Sequence, residues 1–154
     1  MIYEIKNDML SVCADTAGGQ LRSIRDSEGR EYLWQGDPAI WKESAPNLFP
    51  YIARMTDKSY TYKGQTFHME IHGFLKYSEL KLVECQGDTM VMALESSGDT
   101  RNIYPFAFRV EIVYKLTGSC LDITYRVVNK DEKKMYFGIG GHPGFCLLYT
   151  SRCV

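Results

Sequence analysis

At 154 residues the chain can form one domain with its own core, and a formal net charge of −1 leaves no electrostatic footprint for nucleic acid or an anionic membrane. Hydrophobic residues make up 45% and charged residues 24%, ordinary values for a soluble globular protein. No apolar run is long enough to cross a bilayer as a helix, and residues 1–8 lack the basic start and apolar stretch of a signal peptide.

Residues 2–6 and 10–14 read as short strands around an Asn7-Asp8 turn. Residues 21–25 and 32–35 flank Asp26-Ser27-Glu28-Gly29, a second hairpin turn. At 37–42 the spacing allows a turn or two of helix, with Asp37 as N-cap and Pro38 at the first helical position. The stretch 37–55 is otherwise irregular and rich in proline and aromatics, which suits a binding loop. Residues 60–62 and 66–69 flank Lys63-Gly64, and 77–85 and 90–96 flank Gln86-Gly87-Asp88. The clearest signal follows: Phe106, Phe108, Val110, Ile112, Tyr114 and Leu116 alternate with Ala107, Arg109, Glu111, Val113 and Lys115. That is the period of a strand with one buried face. After Thr117-Gly118-Ser119, Leu121, Ile123, Tyr125 and Val127 repeat the pattern, so the two runs predict an antiparallel hairpin. A polar turn at 129–134 leads to a further predicted strand at 135–139. No linker, repeat or low-complexity segment interrupts the chain. The prediction is all-β, a large antiparallel sandwich or barrel.

There are five cysteines: Cys13, Cys85, Cys120, Cys146 and Cys153. The odd number, the wide spacings and the lack of a Cys-x-x-Cys argue against a disulfide framework or a zinc ribbon. Reduced thiols in a cytoplasmic protein are the simple expectation.

One histidine stands in an unusual setting, Phe137-Gly138-Ile139-Gly140-Gly141-His142-Pro143-Gly144-Phe145. Glycines permit a sharp turn or a close approach, and Pro143 stiffens the chain beyond His142. An imidazole held at a strand end suits acid–base chemistry near neutral pH. The bland alternative is a Gly/Pro turn that happens to carry a histidine. His68, Glu70 and His72 would share one face of a strand, so a metal site is conceivable. Three ligands on one straight strand lie too far apart to chelate an ion unaided, and a structural role suits His68 better. His72 precedes Gly73-Phe74 and, like His142, sits at a strand-to-turn transition. Arg54 follows an apolar, aromatic run; it is either a surface arginine or a guanidinium that donates to ligand oxygens. Phosphate loops, nucleophile elbows and Cys/His pairs are missing, so acid–base chemistry is favoured over nucleophilic catalysis.

Four segments in order resemble the aldose 1-epimerase (mutarotase) family. They are residues 37–54, ending in Arg54; Ile71-His72-Gly73-Phe74; residues 99–106, with Tyr104-Pro105-Phe106; and Gly140-Gly141-His142-Pro143-Gly144-Phe145. The resemblance covers residues 1–145 and implies a galactose mutarotase-like antiparallel β-supersandwich. It implies interconversion of the α and β anomers of a free hexose by acid–base ring opening, without cofactor or metal. His142 would protonate the ring oxygen, His72 would hydrogen-bond near the reacting centre, and Arg54 would hold a sugar hydroxyl. Ala53 stands where the family pattern leads one to expect glycine. Family members are roughly twice this length, so the chain reads as an N-terminal half. The base, a glutamate, and a substrate-contacting aspartate would lie in the other half, and this chain by itself is expected to be inactive. Residues 146–154 do not resemble the family's continuation and read as a non-native tail. Two alternatives stand beside this one: a non-catalytic carbohydrate-binding protein on the same fold, and a small metal-binding β-barrel using His68, Glu70 and His72.

Overall fold

The structure, a computed structural model, describes residues 1–145. The expected tail at 146–154, with Cys146 and Cys153, lies outside the described residues.

The chain opens with three antiparallel strands, β1 (Ile2–Lys6), β2 (Leu10–Asp15) and β3 (Leu21–Asp26), in the order β1-β2-β3. Asn7 makes the first turn: its Oδ1 accepts from the amides of Met9 at 2.9 Å and Leu10 at 2.8 Å. Ile5, Val12, Ala14 and Leu21 bury one face of this sheet. The strand expected at 32–35 does not form; only single bridges occur, Arg25 to Glu31 and Leu33 to Phe145. The Glu31 carboxylate explains this. It accepts the amides of Ile24 at 2.8 Å and Leu33 at 3.0 Å, satisfying donors that a ladder would otherwise pair.

At 37–42 the chain makes one turn, with the amides of Ile40 and Trp41 donating to the Asp37 carbonyl, as expected from the Asp-Pro start. The two-residue strand β4 (Asn47–Leu48) follows, and β5 (Ser59–Tyr62) and β6 (Gln65–His68) form the expected hairpin.

A second sheet joins β7 (Lys81–Gln86), β8 (Thr89–Glu95), β9 (Phe108–Thr117) and β10 (Cys120–Asn129), in the order β10-β9-β8-β7. The alternation seen in the sequence is real: Phe106, Phe108, Val110, Ile112, Tyr114 and Leu116 are all buried. Each such side chain contributes about 1.5–3 kcal/mol by leaving water. β10 is different. It pairs with β9 alone among the described residues, and its apolar positions are half-buried at best, with Ile123 41% exposed.

Between β8 and β9 lies α1 (Gly98–Ile103), which periodicity did not reveal because six residues are too few. Its signal is the Ser97-x-x-Thr100 capping box: Ser97 Oγ accepts from the Thr100 amide at 3.2 Å, and Thr100 Oγ1 accepts from the Ser97 amide at 2.8 Å. The strand expected at 135–139 is absent. That segment has no ladder partner among the described residues and is held by isolated bonds, such as the Gly138 amide to the Pro50 carbonyl at 2.7 Å. A two-residue strand, β11 (Gly140–Gly141), follows and pairs with β4.

The core runs between the two sheets and ends in an aromatic cluster, Phe49, Phe74, Tyr104 and Phe108, at the base of the 47–55 loop. Cys13, Cys85 and Cys120 are free thiols. Among the described residues no helix is long and apolar enough to cross a membrane.

Candidate functional site

His142 is placed by its backbone. β11 pairs antiparallel with β4, and the alignment continues beyond it: the His142 amide donates to the Pro46 carbonyl at 3.0 Å and the Gly144 amide to the Ser44 carbonyl at 2.8 Å. Glycines here answer to space rather than to unusual torsions. A Cβ on Gly141 would stand 2.9 Å from the Tyr125 hydroxyl, and one on Gly144 would stand 2.7 Å from the Trp41 ring. Of the sharp turn and the close approach that these glycines allow, the structure shows the second: Gly140-Gly141 is a short strand pressed against aromatic side chains.

Asn47 anchors this arrangement from beneath. It is 2% exposed, and its Nδ2 donates to the Gly18 carbonyl at 3.1 Å and the Gly19 carbonyl at 2.9 Å. Its Oδ1 accepts from the Tyr125 hydroxyl at 2.6 Å. Burial pushes the Tyr125 phenol up to about 12, so it stays a donor. Asn47→Ala would take this partner from the Gly18 carbonyl and the Tyr125 hydroxyl, while the Gly19 carbonyl keeps the Tyr114 hydroxyl at 2.6 Å. It is expected to cost about 1–3 kcal/mol, read as a lower urea midpoint at unchanged slope.

His72 is placed by a left-handed pair, with φ of 68° at His72 and 76° at Gly73. Gly73 must be glycine, since a Cβ there would overlap the Phe49 carbonyl. The His72 amide donates to the Ala53 carbonyl at 2.9 Å, and the Ala53 amide donates to His72 Nδ1 at 3.0 Å. An accepting Nδ1 carries no proton, so this imidazole is neutral with its hydrogen on Nε2. Burial holds its pKa below the ordinary value; the positive charges of Lys76 and His142 act the same way and Glu43 opposes them. Ala53 itself has φ of 83°, a conformation that suits glycine and costs another residue about 1–2 kcal/mol.

The two imidazoles meet: their ring centroids lie 5.8 Å apart, and the Trp41 ring lies 5.5 Å from that of His142. Arg54 follows Ala53, is exposed, and has no hydrogen-bond or ion-pair partner among the described residues. The proposed metal trio does not assemble. β6 ends at His68, Glu70 is taken by Lys58 at 3.2 Å, and the left-handed turn swings His72 away. Among the described residues no three His, Cys, Asp or Glu side chains are grouped to hold an ion.

Sequence reasoning did not single out Trp41, Glu43, Asn47, Lys76 or Tyr125. Three of these lie in the loop at 37–55, so its irregular, aromatic character was the available signal. An open aromatic cavity of about 550 Å³ is lined by Pro50, Ile52, Tyr60, Tyr104, Tyr136 and Phe137 among others; neither histidine lines it.

The comparisons with known proteins give the family and the fold. The aldose 1-epimerase family pattern matches residues 1–151. Protein LacX of Lactococcus lactis subsp. lactis is 35% identical over 151 residues, covering 94% of this chain and 50% of LacX. A galactose mutarotase related enzyme from Lactobacillus acidophilus superposes with a TM-score of 0.95 at 36% identity, covering 98% of this chain and 51% of its own. A galactose mutarotase-like protein from Lactobacillus casei superposes at 0.91 with 28% identity, covering 94% and 50%. The antiparallel sheets are those of the galactose mutarotase-like fold, and the chain spans about half the length of these relatives. This chain belongs to the aldose 1-epimerase family.

Proposed function

We propose that the chain supplies the proton-donating and sugar-holding side of a mutarotase site for a free hexose, in a cytoplasmic protein. The observation that carries this reading is the meeting of His72 and His142 at 5.8 Å, with His72 fixed as a neutral Nε2–H donor by Ala53. In the reaction a base takes the proton from the C1 hydroxyl while the C1–ring-oxygen bond breaks. His142, protonated, gives its proton to that oxygen, and the electron pair of the broken bond stays there. Rotation at the open-chain carbonyl and re-closure, with the proton transfers reversed, deliver the other anomer. His72 donates to a sugar oxygen beside the reacting carbon, and the unengaged Arg54 guanidinium holds a hydroxyl. No residue of this chain is assigned as the base. On this reading the base comes from sequence beyond the half that the chain spans in its relatives, which the coverage of 50% and 51% leaves room for.

One observation favours the second reading, sugar binding without turnover. Glu43, the carboxylate whose charge reaches His72, is engaged by Lys76. Polarimetry on fresh α-galactose and α-glucose separates the two. A product extended to the relatives' length is expected to accelerate mutarotation, and the chain of 154 residues is not. An extended product that binds sugar and leaves the rate at that of buffer favours binding alone.

A further inference from the structure

Beneath the histidines lies an ion pair that the proposed chemistry does not use. Lys76 Nζ donates to Glu43 Oε1 at 3.0 Å and Oε2 at 3.2 Å, and the two side chains are only 7% and 19% exposed. Burial is the largest single influence and works against the Lys76 charge, but the hydrogen bond and charge of Glu43, together with Tyr77, outweigh it and hold the ammonium above its ordinary range. Lys76 lies in the single 3₁₀ turn Leu75–Tyr77 that follows His72-Gly73-Phe74. Its backbone is packed as well, since a Cβ on Gly18 would stand 2.8 Å from the Lys76 carbonyl. Glu43 stands two residues after Trp41, whose ring faces His142, and one before Ser44, whose carbonyl accepts the Gly144 amide. The pair therefore joins the segment that frames His142 to the turn that carries His72.

We propose that the Glu43–Lys76 pair is a positioning element of the histidine site, bracing its two segments and setting one fixed positive and one fixed negative charge beside His72. Stability alone gives little reason for such a pair, because apolar side chains of similar volume usually hold a buried position as well or better. What apolar residues cannot supply is charge. The charged and titratable groups that face His72 are Lys76, His142 and Glu43, and they act in opposite senses: Lys76 and His142 favour the neutral imidazole, Glu43 the protonated one. With Lys76 in place, His72 remains the neutral donor that its bond from the Ala53 amide requires. The proposal rests on reading His72 as a site residue, but its test needs no sugar. Its failure is therefore distinct from a failure of the polarimetry.

The test is a pH titration of the His72 ring signal by proton–carbon NMR on the chain as it stands, with His72→Gln identifying the signal. Lys76→Met is expected to raise the His72 midpoint by on the order of half a pH unit, because it removes a positive charge and leaves Glu43 unopposed. Glu43→Gln is expected to lower it by a similar amount. The double variant Glu43→Gln/Lys76→Met, which keeps the shape and removes both charges, is expected to bring the midpoint back near that of the parent. Should Lys76→Met not fold, Glu43→Gln and the double variant still decide the matter. If both single variants raise the midpoint, the pair acts only as packing, because loosening relieves burial in either case. That result overturns the proposal, as does an unmoved midpoint in folded variants.

Discussion

Replacing His142 with alanine in the extended product is expected to slow anomer exchange by about 10²–10⁴-fold, the usual contribution of one acid–base group, while leaving the melting transition in place. The structure explains the second half of that expectation. His142 is held through its main chain, by the β11–β4 pairing and by its amide on the Pro46 carbonyl at 3.0 Å. The side chain is exposed, and among the described residues its ring neighbours are Trp41 and His72, both at tilted angles. Removing it empties no core space and strands no buried donor. The loss should therefore appear in the rate of exchange and not in the unfolding curve. His142→Gln restores a hydrogen-bond donor but not a group that can hand a proton to the ring oxygen, so it should recover binding more than rate. An alanine variant that is folded and fully active would remove His142 from the chemistry.

Replacing Phe49 with alanine is expected to cost about 3–5 kcal/mol, the range for deleting a buried aromatic. Phe49 is fully buried, and four rings surround it: Phe108 at 5.1 Å, Phe137 at 5.8 Å, Tyr104 at 5.9 Å and Phe74 at 6.0 Å. Neighbours that pack on β9 and on the turn after His72 cannot all collapse into one vacancy, so a cavity remains. The site should suffer as well. Phe49 sits at the root of the loop that carries Ala53 and Arg54, and its carbonyl accepts the amides of Phe74 at 3.0 Å and Leu75 at 3.2 Å, just beyond His72. A drop in the urea midpoint is the primary readout. A change within a few tenths of a kcal/mol would mean that the aromatic cluster does not carry this share of the stability.

The strands at 106–116 and 121–127 were legible because alternation is local: the buried set of β9 can be named by counting every second residue. The stretch 135–139 was not. Its apolar residues suit a strand, yet a strand exists only with a partner, and no partner for it is written in its own spacing. Residues 32–35 failed for another reason, since the Glu31 carboxylate occupies amide groups that a ladder would use. For the glycines around His142 the sequence left a sharp turn and a close approach both open; the structure shows close approach, with Gly141 and Gly144 making room for the Tyr125 hydroxyl and the Trp41 ring. His72 and His142 were each noticed for a setting beside glycine and an aromatic, but their convergence came only from the family resemblance. Glu43 and Lys76 were invisible because an ion pair across 33 positions leaves no periodic trace.

The measurement that tests the account most directly is the NMR signal of the two histidine rings as galactose is added to the chain of 154 residues. The account expects both rings to shift together and to saturate, with the α and β anomers of the sugar exchanging no faster than in buffer. Rings that stay in place at high sugar concentration, or exchange that this chain accelerates equally well after His142→Ala, would contradict it.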